Sequence, residues 1–97
     1  MKIKEFLKKL EEANSFLKSL KLNTYYLEDT TFYGSDPVYN YEDYTKYMSK
    51  VYNEEYIKLC ENVEVEINNH HIILDATNDS YDFVDNSLIF EVRKSGR

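Results

Sequence analysis

The 97-residue chain contains no Trp, a single Cys, a single Pro and only two Gly. The lone Cys60 excludes an internal disulfide framework and is compatible with a reducing compartment. With Gly34 and Gly96 as its only glycines, the chain cannot form a glycine-rich loop that cradles phosphate. In the N-terminal stretch MKIKEFLKKLEE no more than two apolar residues stand together before a charged one follows, which excludes a signal peptide or a membrane span there. We therefore expect a cytoplasmic protein that does not bind membranes.

The length limits both the number of domains and the kind of site. A compact domain usually has about 100–150 residues, so residues 1–97 are predicted to form a single domain. A domain of this size buries only about 60–65% of its unfolded surface, which leaves little room for a deep active-site cavity. We therefore expect a protein that is not an enzyme. The aromatic content of 15% favours a folded chain over a disordered one.

Charge is divided unevenly along the chain. The formal net charge is −6, but residues 1–22 carry six Lys against three Glu, whereas residues 23–97 carry six basic against fifteen acidic side chains. The segment Leu59–Val92 contains no Lys or Arg at all. Nucleic acids and anionic membranes are bound by concentrated Lys and Arg. We therefore expect neither of them to bind this protein directly.

Two segments have the apolar periodicity of amphipathic helices. Residues 2–22 are predicted to form the first helix, with Lys side chains on its solvated face. Residues 40–61 are predicted to form the second, because Asn40 is an acceptable N-cap and Asp43 favours the positive end of the helix dipole. The apolar positions are Ile3, Phe6, Leu7, Leu10, Ala13, Phe16, Leu17 and Leu20 in the first helix, and Tyr41, Tyr44, Met48, Val51, Tyr52, Tyr56 and Leu59 in the second.

From Val63 onward the apolar period changes from helical to two, which is typical of strands. Asn68, Asn69 and His70 tolerate the backbone conformations of a tight hairpin between the first two strands. Residues 93–97 are predicted to be a frayed tail. The strands are predicted at 63–67, 72–77 and 88–92, in an antiparallel sheet that spans 63–92.

The segment 24–33 is rich in Tyr and Thr. We predict that 24–27 and 31–33 are extended, as a short hairpin across Glu28-Asp29. The whole pattern predicts an α+β fold of order α-(β)-α-β-β-β. Two helices pack on one face of a small antiparallel sheet, which has three strands, or four if 24–33 joins it.

Few side chains offer metal or nucleophilic chemistry. His70 and His71 are adjacent, and adjacent strand side chains point to opposite faces, so a turn is expected there rather than a zinc site. Cys60 lies at the apolar end of the second predicted helix, where a buried cysteine usually acts as a small hydrophobe. The acidic stretch 75–86 lacks the Gly and the bidentate Glu of a calcium loop. We therefore expect no metal and no cofactor.

Nine of the ten Tyr lie between Tyr25 and Tyr56. A core of this size cannot bury nine phenols, each of which needs a hydrogen-bond partner, so some must be exposed. Tyr39 and Tyr47 fall off the apolar stripe of the second helix and are predicted to be more exposed. Exposed Tyr is typical of protein interfaces. The alternative is that Tyr replaces Phe and Leu on the helix, with its hydroxyls at the rim of the core.

Within Leu59–Val92, the segment that contains no Lys or Arg, acidic residues recur along one predicted strand and one loop. On the strand, the outward carboxylates of Glu64 and Glu66 are spaced by about 6.6 Å. Self-repulsion of such a run costs folding stability. One interpretation is a solvated face that maintains solubility; another is a surface that resembles a phosphate backbone to a basic nucleic-acid channel. The candidate carboxylates are Glu61, Glu64, Glu66, Asp75, Asp79, Asp82 and Asp85.

The acidic run, the Tyr-rich middle and the length resemble those of small acidic inhibitors encoded by phages and mobile elements, such as anti-CRISPR proteins and other DNA mimics. This resemblance implies a non-enzymatic inhibitor that blocks the nucleic-acid site of a CRISPR effector nuclease or a similar DNA-acting enzyme. Arg and Lys of that protein partner would contact the carboxylates, and exposed Tyr would fill its apolar pockets. The residues implied in binding are Glu61, Glu64, Glu66, Asp75, Asp79, Tyr81, Asp82, Asp85, Tyr39 and Tyr47.

Two alternatives stay open at the level of the sequence. A homodimeric accessory or interaction module of phage or bacterial origin would use a Tyr-rich apolar interface, and its association would depend little on salt. A small enzyme would need a concave site that combines a carboxylate with His70, His71 or Cys60. Both a monomer and a homodimer are compatible with the sequence.

Overall fold

The computed structural model describes residues 1–31, 35–75 and 87–96. Within these ranges it has three helices and a four-stranded antiparallel sheet, which confirms the predicted α+β class. In chain order the elements are α1 (Ile3–Ser19), β1 (Tyr25–Asp29), α2 (Tyr41–Val51), α3 (Glu54–Glu61), β2 (Val65–Asn68), β3 (His71–Asp75) and β4 (Ser87–Lys94).

The strands lie in the order β1-β4-β3-β2. β2 and β3 form the predicted tight hairpin, in which Asn68 pairs with His71. Asn69 in the loop has a φ of 57°, a left-handed conformation that Asn tolerates. β4 pairs with β3 on one side and with β1 on the other. The sheet therefore pairs β1, near the start of the chain, with β4, its last strand.

The three helices cover one face of the sheet. Phe90 of β4 is fully buried at this face, and its ring centroid lies 6.2 Å from those of both Tyr44 and Tyr47 in α2. This distance is typical of tilted and edge-to-face aromatic pairs. The core between helices and sheet comprises Ile3, Leu7, Leu27, Val38, Tyr44, Tyr47, Met48, Cys60, Ile72, Leu74, Leu88 and Phe90.

α1 ends three residues before the predicted boundary, with a backbone motif that closes its last turn. The Leu22 N–H donates to the Leu17 carbonyl at 2.9 Å, and the Lys21 N–H donates to the Lys18 carbonyl at 2.9 Å. This is the Schellman pattern, whose penultimate position adopts a left-handed conformation and usually holds Gly. Here that position is Lys21, with a φ of 59°.

Replacing Lys21 with Gly is expected to raise the free energy of unfolding by about 0.5–1 kcal/mol, because Gly adopts a positive φ without the steric cost of a Cβ atom. The same change at Lys8, which is exposed inside α1, should lower it by about 1 kcal/mol. Urea denaturation of the two variants measures both effects. Equal destabilisation by both substitutions would contradict the expectation.

The prediction of a single helix over 40–61 is wrong, because this segment forms two helices. α2 begins after Asn40, as predicted. Tyr52 is extended, with φ −123° and ψ 158°, and the Asn53 side chain accepts a hydrogen bond from the Tyr56 N–H at 2.8 Å. An Asn side chain competes for backbone N–H groups and favours a helix start over a helix interior. The apolar periodicity continues through this break and therefore hides it.

The predicted hairpin across Glu28-Asp29 is also wrong. Tyr25–Asp29 is one continuous strand, and it pairs over its whole length with β4. The sheet therefore has the fourth strand that the sequence left open. Of the second extended stretch predicted at 31–33, residues 32 and 33 lie outside the described part of the chain, as do residues 76 and 77 of the predicted second sheet strand.

The predicted frayed tail at 93–97 is wrong for most of its length. Arg93 and Lys94 belong to β4 and pair with β1, and the Ser95 N–H donates to the Thr24 carbonyl at 2.7 Å. The last residue of the chain lies outside the described ranges. Strand pairing with a segment about 70 residues away holds this end, and no local pattern in the tail indicates it.

The outer edge of β1 is closed by two other segments. The Asn14 side chain of α1 donates from Nδ2 to the Tyr25 carbonyl at 2.7 Å and accepts from the Tyr25 N–H at 2.9 Å. Further along, Leu27 and Val38 exchange backbone hydrogen bonds of 2.9 Å. The buried Asn14 amide is therefore satisfied, as a buried polar group must be. These contacts also fix the position of α1 relative to the sheet.

Candidate functional site

Among the described residues, the face of the sheet opposite the helices carries five carboxylates. Because successive strand residues point to opposite faces, the residues that flank the buried positions of each strand share this second face. Cross-strand pairs link Glu66 to Ile73, and link Glu91 to both His71 and Glu28. Arg93 is the only Lys or Arg that the four strands place here, and Lys2 pairs with Glu64 in an isolated bridge beside β2. We call this surface the acidic face; its carboxylates are Glu28, Glu64, Glu66, Asp75 and Glu91.

Two of these carboxylates oppose each other directly. Glu28 of β1 pairs with Glu91 of β4, and like charges at such positions destabilise a strand pair. Arg93 compensates, because its Nε lies 2.5 Å from Glu28 Oε2 and its Nη2 lies 3.0 Å from Glu91 Oε2. One guanidinium therefore serves two carboxylates, and this end of the acidic face keeps one net negative charge.

The β2 end of the acidic face is more exposed. The Glu64 side chain is 69% exposed, and its Oε2 lies 2.7 Å from the ammonium group of Met1. The hydrogen bond from this ammonium lowers the pKa of the Glu64 carboxyl, so Glu64 is ionised at neutral pH. Glu66 and Asp75 are exposed, and no described residue forms an ion pair with either. Glu64 and Glu66 therefore point outward, as the alternation of the strand predicted.

Glu61, predicted with the other acidic residues, lies elsewhere. It is at the end of α3 and accepts a hydrogen bond of 2.6 Å from the Tyr41 hydroxyl of α2. This bond, together with burial, raises the pKa of Tyr41. The Lys4 ammonium lies 5.0 Å from the centre of the Tyr41 ring, within the range of a cation–π contact. Glu61 therefore belongs to the helix side of the molecule and not to the acidic face.

Four further predicted residues lie outside the described ranges: Asp79, Tyr81, Asp82 and Asp85. Two residues that the sequence did not single out, Glu28 and Glu91, do lie on the acidic face. The alternation of β4 could have indicated Glu91, because Phe90 and Val92 flank it as apolar positions. Glu28 cannot be found in this way, because the sequence pattern predicts a turn at Glu28-Asp29 and not a continuous strand.

The two tyrosines predicted to be exposed differ from each other. Tyr47 is only 2% exposed, so the prediction that it is exposed is wrong. Tyr39 is half-buried, and its ring centroid lies 5.5 Å from that of Tyr26. Because Tyr26 shares the face of Glu28 by strand alternation, Tyr39 lies beside the acidic face at its β1 edge.

Tyr47 is buried because its hydroxyl has a partner there. It donates a hydrogen bond to Oδ2 of Asp29, a carboxylate that is 4% exposed. Tyr52 donates to the same oxygen at 3.4 Å, and the Thr31 N–H donates to Oδ1 at 2.7 Å. Burial raises the pKa values of the Tyr47 and Tyr52 hydroxyls, so both remain protonated donors. This carboxylate with three donors is a structural cluster that the sequence pattern did not indicate.

Tyr44 and Cys60 act as hydrophobic core residues. Both are 0% exposed, and the Tyr44 hydroxyl has no hydrogen-bond partner among the described residues. Burial raises the pKa of the Cys60 thiol to about 11, so Cys60 is a thiol at neutral pH, whereas a nucleophile must be a thiolate. The Tyr-rich stripe of the second predicted helix is therefore largely core, which leaves little of it for an apolar interface.

The histidines and grooves do not form a recognisable chemical site. His70 lies in the hairpin loop and His71 on the acidic face, and the described residues contain no group of three His, Cys, Asp or Glu that could hold a metal ion. A groove of about 600 Å³ lies along α1. Three Lys and three Glu line it, so its charges do not select a ligand of either sign.

Comparison with protein-family models, with curated proteins and with solved structures finds no match for this chain. None of the helices in the part of the chain that the structure describes is long and apolar enough to cross a membrane.

Proposed function

We propose that this protein is a non-enzymatic, cytoplasmic inhibitor whose acidic face occupies the nucleic-acid site of a CRISPR effector nuclease or a similar DNA-acting enzyme. The charge of this face supports the proposal: among the described residues its five carboxylates stand against Arg93 and, beside Glu64, the Met1 ammonium and Lys2. Nucleic-acid sites bind phosphates through Arg and Lys. The same side chains form strong charge-assisted hydrogen bonds with carboxylates.

The spacing of the carboxylates also suits such a partner. Along a strand, residues on one face are about 6.6 Å apart, and neighbouring strands are about 4.8 Å apart. Glu64 and Glu66 form a row on this spacing, and Asp75 lies on the adjacent strand. Several basic side chains can contact such an array at once. Opposite potentials on the two surfaces would also accelerate association.

An apolar contact at the centre of the acidic face would add to this attraction. Ile73 and Ile89 pair in register in the middle of the sheet and are half-buried. The Tyr26–Tyr39 ring pair lies at the β1 edge. Interfaces commonly place apolar and aromatic anchors among polar or charged residues of the rim. On the acidic face, the carboxylates form a charged rim around these apolar and aromatic side chains.

A competition assay tests the proposal. Labelled DNA is bound to each of a panel of enzymes, including CRISPR effector nucleases and restriction enzymes, and the protein is added at about 0.05 M and about 0.3 M salt. We expect displacement of DNA from at least one enzyme at low salt, and weaker displacement at high salt. The double variant Glu64→Lys/Glu66→Lys should weaken the displacement at least about tenfold, because it reverses two contacts of the interface.

The matched control is Glu42→Lys/Glu54→Lys, which makes the same charge change at exposed positions of α2 and α3. It should remain within about threefold of the wild type, because only long-range charge is altered. If no enzyme in the panel loses its DNA, the proposal is wrong. If both double variants displace DNA equally weakly, the net charge and not the acidic face causes the displacement, and the proposal is also wrong.

A further inference from the structure

We draw no further inference here: the strongest candidate, the exposed apolar surface patch of Ala13, Phe16 and Leu20 on α1, carries none because nothing in the structure shows what covers it.

Discussion

Replacing Asp29 with Ala is expected to lower the free energy of unfolding by about 3 kcal/mol, because the buried Tyr47 hydroxyl loses its partner and a charged acceptor of three hydrogen bonds disappears. Asp29 is 4% exposed, and its partners come from α2, from Tyr52 and from the Thr31 backbone. The carboxylate therefore joins the end of β1 to the helix layer. Urea denaturation or thermal unfolding measures the loss, at about 4–8 °C of melting temperature per kcal/mol.

The matched control is Asp36→Ala. Asp36 is 59% exposed at its side chain and forms an ion pair of 2.7 Å with Lys50, so its removal should cost less than about 1 kcal/mol. A double-mutant cycle with Tyr47→Phe separates the hydrogen bond from other effects, and a coupling of about 1–2 kcal/mol is expected. Equal costs for Asp29→Ala and Asp36→Ala would show that the buried cluster does not stabilise the fold.

The Asp29 cluster also explains why the sequence pattern wrongly predicts that Tyr47 is exposed. A helical wheel places Tyr47 off the stripe of Tyr44 and Met48, which predicts exposure. In the structure Tyr47 packs against the ring of Phe90, and β1 brings Asp29 within hydrogen-bond reach of the Tyr47 hydroxyl. The partner of a phenol can come from any strand, and its position depends on the sheet order. Burial of a polar aromatic residue therefore requires tertiary information that a helix period does not contain.

Local patterns were sufficient for α1, the start of α2 and the β2–β3 hairpin, and insufficient for the break between α2 and α3 and for the pairing of distant strands. The change of period at Val63 and the Asn-rich turn correctly predicted the β2–β3 hairpin, because register there depends on neighbouring residues. The β1–β4 pair joins Tyr25 to Lys94, and each segment alone resembles a turn or a tail. The same limit applies to the acidic face. The alternation of one strand predicts the outward positions of Glu64 and Glu66, whereas the position of Glu28 follows only from the pairing of β1 with β4.

Apolar periodicity likewise does not tell which of two neighbouring stripes is buried. The sequence groups Phe16 with Ile3 and Leu7 on α1, because their spacings all suit one broad apolar face. In the structure Ile3 and Leu7 are 0% exposed and Phe16 is 63% exposed. The helix is apolar over a wider arc than the sheet covers. The difference in unfolding free energy between substitutions at the buried Phe90 and at the exposed Phe16 therefore measures how much a core side chain stabilises the fold.

Replacing Phe90 with Ala is expected to lower the free energy of unfolding by about 4 kcal/mol, the usual cost of deleting a fully buried aromatic ring from a packed core. Phe90 is 0% exposed, lies on a central strand and contacts the rings of Tyr44 and Tyr47. The cavity would open between the sheet and α2. Because many domains have a total stability of only about 5–15 kcal/mol, this variant is expected to be partly unfolded at 37 °C.

Phe16→Ala is the matched control, since the same atoms are removed from an exposed position of α1. Its cost should stay within about 0.5 kcal/mol. Denaturant unfolding with tyrosine fluorescence measures both variants on one scale. A Phe16→Ala cost that approaches that of Phe90→Ala would mean that Phe16 packs within the chain, which contradicts its 63% exposure.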